Sequence, residues 1–90
     1  MSIVNLFTRY NKSRIFTFRE GNMKYIKRIR DLREDHDKTQ LEVAKILGTS
    51  QTMYARYERG ANELPLRHLI TLCTYYGVSA DYILGLRDAP

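Results

Sequence analysis

The sequence is poor in the groups that cross-link a chain, hold metals or carry catalysis. Cysteine occurs once, at Cys73, so no disulfide can close within the chain. It lies in an apolar stretch of helical spacing, which reads as a buried, inert thiol. Histidine occurs only as His36 and His68, and the step from His68 to Cys73 turns the two side chains about 140° apart on a helix. No metal site is expected, and His68 reads as a partly exposed helix residue. Glycine-rich phosphate loops, a nucleophile elbow and convergent carboxylate pairs are all missing, so neither catalytic residues nor a cofactor are expected. No apolar run approaches the roughly 20 residues that cross a bilayer, and the start of the chain lacks a continuous hydrophobic signal core. A cytoplasmic protein without a membrane partner is the expectation.

What is present fits one small domain. A chain of 90 residues buries only roughly 60% of its unfolded surface or slightly more. That suits a bundle of short helices and disfavours a cavity-bearing enzyme. The formal charge of +5 is uneven: residues 1–22 carry four bases against one acid, and residues 23–90 carry eleven bases against nine acids. The globular part is mildly basic, which permits phosphate binding without requiring it.

Residues 1–22 differ from the rest, with polar and basic residues around two apolar patches, Ile3 to Phe7 and Ile15 to Phe18. The second patch has strand propensity but nothing obvious to pair with inside a helical bundle. The segment reads as an extension of a domain at 23–87: a basic arm, an edge strand, or a stretch added upstream of Met23. Residues 88–90 read as a tail.

From Met23 onward helical spacing is steady. Ile26, Ile29 and Leu32 supply the apolar side of a first helix from about Met23 to Asp35, with Lys24, Lys27, Arg28, Asp31 and Glu34 facing outward. A turn at His36, Asp37 and Lys38 follows, where Asp37 tolerates the conformation that glycine takes more easily. Pro65 suits the first turn of a fourth helix, whose apolar face is read as Leu66, Leu69, Ile70, Leu72 and Cys73 and which Gly77 ends. Ser79 caps a short fifth helix in which Tyr82, Ile83 and Leu84 close the core. An all-α, five-helix bundle results.

Between these lies the most telling stretch, residues 40–59. Val43, Ala44 and Leu47 are apolar, Gly48 can take φ > 0 at a turn, and Tyr54 and Tyr57 return to the buried side. Thr39 followed by Glu42 forms a capping box, Ser50 caps the next helix, and Gly60 ends it. Gln51, Thr52, Ala55, Arg56 and Arg59 follow one face of that helix, opposite the tyrosines. Two short helices crossing over a tight turn, the second polar and basic outside, read as a helix-turn-helix.

Over residues 26–86 the chain resembles the phage repressor and Cro-like (XRE-type) helix-turn-helix family. The likeness rests on Thr39-Gln40, Ala44, Gly48, the Glu58-x-Gly60 ending and the Gly77-Val78-Ser79 junction. It implies a λ-repressor-like bundle whose third helix lies in the major groove of double-stranded DNA. By position, Gln51, Thr52 and Arg56 are implied as base readers, with Gln51 suited to adenine and Arg56 to guanine. Gln40, Ser50, Arg59 and Asn62 are implied as phosphate contacts. Arg33 and Glu58 occupy the places of an ion pair that orients the third helix against the first. The implied function is a transcriptional regulator, a repressor reading a palindromic operator as a homodimer. The rival reading is an antitoxin or adaptor that uses the same bundle to bind a protein partner, with surface supplied by residues 1–22 and around Tyr75, Tyr76 and Tyr82, tyrosines that equally fit the core or the dimer interface.

Overall fold

A computed structural model describes residues 24–90, and within them the chain forms five helices and no strand. Helix α1 covers residues 24–35, α2 Gln40–Leu47, α3 Gln51–Arg59, α4 Leu66–Tyr76 and α5 Ala80–Leu84. The expectations for residues 1–22 and for Met23 lie outside the described residues.

The helix ends follow from local chemistry. At α2, Thr39 Oγ1 accepts from the Glu42 amide at 3.1 Å while the Glu42 carboxylate accepts from the Thr39 amide at 3.1 Å. Two donors that a helix start leaves unpaired are thereby satisfied. Ser50 Oγ accepts from the Met53 amide, and Ser79 Oγ from the Tyr82 amide, each at 3.1 Å. Pro65 stands at the N-cap of α4 in extended backbone, one position before the first-turn place expected for it. Asp37, at φ 54°, is the one non-glycine residue with positive φ among those described. Its short polar side chain tolerates that region better than most.

Gly48 and Gly60 bound the motif for different reasons. Gly48 ends α2 at φ 71°, and a methyl group added there would meet nothing within 4 Å, so only the backbone angle demands glycine. Gly60 ends α3 at φ 76°, and a Cβ there would lie 2.7 Å from Ile26 Cδ1 on α1. The angle disfavours any side chain there, and a methyl group would in addition force the tip of Ile26 to shift.

The core gathers Tyr25, Ile29 and Leu32 of α1, Val43, Ala44 and Leu47 of α2, Tyr54 and Tyr57 of α3, Leu69, Leu72 and Tyr76 of α4, and Ile83 of α5. Among α2 to α5 the closest packing is between α2 and α3, and α4 packs on both α2 and α5. Ala44 is fully buried, and a small side chain there suits the close α2–α3 packing. Tyr25 also accepts a 3.0 Å hydrogen bond from the Leu64 amide, which fixes the loop after α3 to α1.

Several expectations need correction. Leu66 and Ile70 are 70% and 60% exposed and do not belong to the core face of α4. Leu84 is likewise exposed, leaving Ile83 to close the bundle. His68, expected at the surface, is 5% exposed and packs on Tyr57 with ring centroids 5.8 Å apart. Its Nε2 has no hydrogen-bond partner among the described residues. Burial holds the imidazole pKa below the ordinary value, with the Arg67 charge adding to the effect. Arg28, expected to face outward, is half-buried: its guanidinium lies over the Tyr82 ring and donates to the carbonyls of Tyr82 and Arg87. A carbonyl in the last turn of α5 and one just beyond it draw it inward.

Candidate nucleic-acid interface

The α2–turn–α3 unit presents one polar stripe. Gln51, Thr52, Arg56 and Arg59 are exposed, while Tyr54 and Tyr57 on the opposite side are buried. Ala55 and Met53 are half-buried at the border between the two faces. Ser50, also exposed, uses its hydroxyl oxygen on the Met53 amide and retains its own proton as a donor.

The electrostatics of α3 favour an anion. Its first turn contains no acidic residue and its last turn carries Arg56 and Arg59, whereas α2 and α5 have Glu42 and Asp81 in their first turns. The free amides and positive dipole end of α3 are therefore not neutralised by its own carboxylates. Phosphate is the kind of group such an end attracts.

Beneath the stripe a buried polar network joins α3 to α1, to the loop before α2 and to the start of α2. Arg33 Nε donates to Glu58 Oε2 at 2.7 Å and Arg33 Nη2 to Glu58 Oε1 at 3.1 Å, a two-point pairing between α1 and α3. Arg33 Nη1 also donates to the Lys38 carbonyl at 2.9 Å, which ties the loop before α2 into the same cluster. The side chains are 14% and 3% exposed. Burial pushes the Glu58 carboxyl up, but bonding from Arg33 and Gln40 and the nearby Tyr54 hydroxyl outweigh it, leaving the carboxyl below the usual range. The Tyr54 hydroxyl lies beside that carboxylate yet outside hydrogen-bonding geometry. Its phenol is pushed well above the ordinary range, first by burial and then by Glu58.

Two of the residues implied as phosphate contacts make bonds that local sequence does not signal. Gln40 is half-buried, and its Nε2 donates to Glu58 Oε1 at 3.1 Å. Asn62 Oδ1 accepts from Arg56 Nε at 2.5 Å. Both partners are non-local in the helical pattern, one across two helices and one across a turn, so periodicity carries no trace of them. Arg59 stays exposed at the end of α3.

Among the described residues no group of three His, Cys, Asp or Glu side chains is arranged to hold a metal ion. No helix among them is long and apolar enough to cross a membrane.

Comparison with known proteins bears on this geometry. The family profile described as Helix-turn-helix matches residues 29–83. The chain is 41% identical over 66 residues to the Uncharacterized HTH-type transcriptional regulator YobD of Bacillus subtilis (strain 168), covering 73% of this chain and 59% of that protein. It is 39% identical over 59 residues to Antitoxin PezA of Streptococcus pneumoniae serotype 4 (strain ATCC BAA-334 / TIGR4), covering 66% of this chain and 37% of that protein. The chain thus spans less than two thirds of the length of either relative. No solved structure matches it significantly. With a matching profile over most of the chain and the α2–turn–α3 unit at its centre, the chain belongs to the phage repressor and Cro-like (XRE-type) helix-turn-helix family.

Proposed function

We propose that the chain is a sequence-specific, double-stranded DNA-binding transcriptional regulator, a repressor that reads a palindromic operator as a homodimer in the cytoplasm. The observation that carries this reading is the exposed stripe of Gln51, Thr52 and Arg56 on a helix whose other side is locked into the core. A rigid helix with such a stripe fits the major groove. There the Gln51 amide can pair with adenine, the Arg56 fork with guanine, and Thr52 with either a base edge or a thymine methyl. Ser50 and Arg59, with the remaining donors of Gln40 and Asn62, serve the phosphates on either side. The proposal assigns the chain no catalysis and no cofactor.

Two copies with α3 helices about 34 Å apart reach half-sites one helical turn apart. Leu66 and Ile70 on α4, with Leu84 and Leu86 near the end of α5, give an exposed apolar surface suited to contact between the copies. The same surface supports the second reading, in which the bundle binds a protein partner. The likeness to a protein named as an antitoxin is the observation that favours it.

Selection of bound sequences from a random duplex library, at two salt concentrations, separates the readings. A palindromic consensus with affinity falling steeply in salt is expected for the regulator. No enrichment at either salt, with a second protein copurifying in fixed ratio, would favour the partner-binding bundle.

A further inference from the structure

We infer that Asn62 is a positioning residue for Arg56, holding its guanidinium so that only the terminal fork is offered to a base. The inference rests on the proposed reading of DNA by Arg56 and assigns Asn62 a role other than a simple phosphate contact.

Arg56 and Asn62 hold each other at both ends. The Asn62 amide donates to the Arg56 carbonyl at 3.3 Å, alongside the Ala61 amide at 2.9 Å, and Arg56 Nε donates back to Asn62 Oδ1 at 2.5 Å. The αL conformation of Gly60 bends the chain so that Asn62 returns beneath its own helix end. Both residues are anchored: Arg56 by α3, and Asn62 by a loop whose next residues are tied to α1 through the Leu64–Tyr25 bond.

Chemistry then selects what remains free. An arginine can meet a planar acceptor pair through Nε and one terminal nitrogen, or through its two terminal nitrogens. With Nε committed to Asn62, only the second arrangement is left. Among the described residues no other group accepts from those terminal nitrogens. A long side chain that is ordered before binding loses less freedom on contact, so the bond sharpens preference for the acceptor pair of guanine. A glutamine or a shorter residue at 62 fails in different ways: one brings the carbonyl too far, the other removes it.

The test measures base preference and not affinity alone. Binding of the parent, Asn62→Ala, Arg56→Ala and the double variant is measured across an operator panel carrying every single-base change, with thermal melting as the folding control. Asn62→Ala should relax preference at the same base pair as Arg56→Ala, by on the order of fivefold. The double variant should be no less selective there than Arg56→Ala alone. Asn62→Asp, which retains an acceptor for Nε, should keep the parent's profile even as its charge weakens binding to all sequences. Uniform weakening by Asn62→Ala with an unchanged profile overturns the positioning role while leaving the reading by Arg56 intact. A parent without base preference overturns both.

Discussion

Replacing Glu58 with alanine tests the device that aims α3. The carboxylate accepts two bonds from Arg33 and one from Gln40, and its side chain is 3% exposed. Glu58→Ala leaves the Arg33 guanidinium, itself only 14% exposed, with its bond to the Lys38 carbonyl and little water to replace the rest. Breaking a buried pair from one side costs about 3 to 5 kcal/mol. For a domain of this size 1 kcal/mol moves Tm by about 4 to 8 °C, so a fall of roughly 12 to 40 °C is expected. Total stability of a small domain is only about 5 to 15 kcal/mol, so the loss is a large share of it, and urea titration followed by circular dichroism should begin at low temperature. Glu58→Gln keeps one acceptor but turns an amide toward a donor, and should cost roughly 1 to 3 kcal/mol. Exchanging both partners for apolar residues, Arg33→Met with Glu58→Leu, should fall within about 1 kcal/mol of the parent, because the desolvation cost disappears with the charges. A Glu58→Ala protein within roughly 0.5 kcal/mol of the parent refutes the reasoning.

Two further outcomes follow from the same geometry. Gly48→Ala should lose about 1 to 2 kcal/mol from the left-handed backbone alone, and Gly60→Ala should lose about 1 kcal/mol more because Ile26 must leave its rotamer; equal losses in urea unfolding would dismiss the Ile26 contact. His68 has a folded-state pKa below its ordinary value of 6.5, so its contribution is fully present above that pH and is lost as pH falls below it, where the unfolded chain takes up the proton first. Glu58, also depressed, adds acid sensitivity from its own ordinary value of 4.5 downward. Stability of His68→Leu should therefore change less than that of the parent between about pH 7 and pH 5, and parallel curves would contradict the account.

What was legible in the sequence was mostly local. The caps at Thr39, Ser50 and Ser79 and the left-handed ends at Gly48, Gly60 and Gly77 each depend on a few consecutive residues. The inward tyrosines of α3 follow from spacing on one short helix. Helix α4 was harder because it carries apolar residues on two rows: Leu66 with Ile70, and His68 with Leu72 and Tyr76. Both rows have the four-residue step, and composition favours the first, yet Tyr57 and the α2–α3 unit select the second. His68 was identifiable in principle from its step to Leu72 and Tyr76. The bonds from Gln40 to Glu58, from Arg56 to Asn62 and from Arg28 to the carbonyls of Tyr82 and Arg87 had no such signal. They depend on how separate elements meet.

The central claim is that the exposed stripe of α3 reads base edges, and Gln51→Ala and Arg56→Ala measured across a panel of single-base operator variants test it most directly. Each substitution should cost about 1 to 3 kcal/mol on the parent operator and lose discrimination at one base pair, a different one for each residue. If both variants rank every operator variant as the parent does, α3 is not the reading helix.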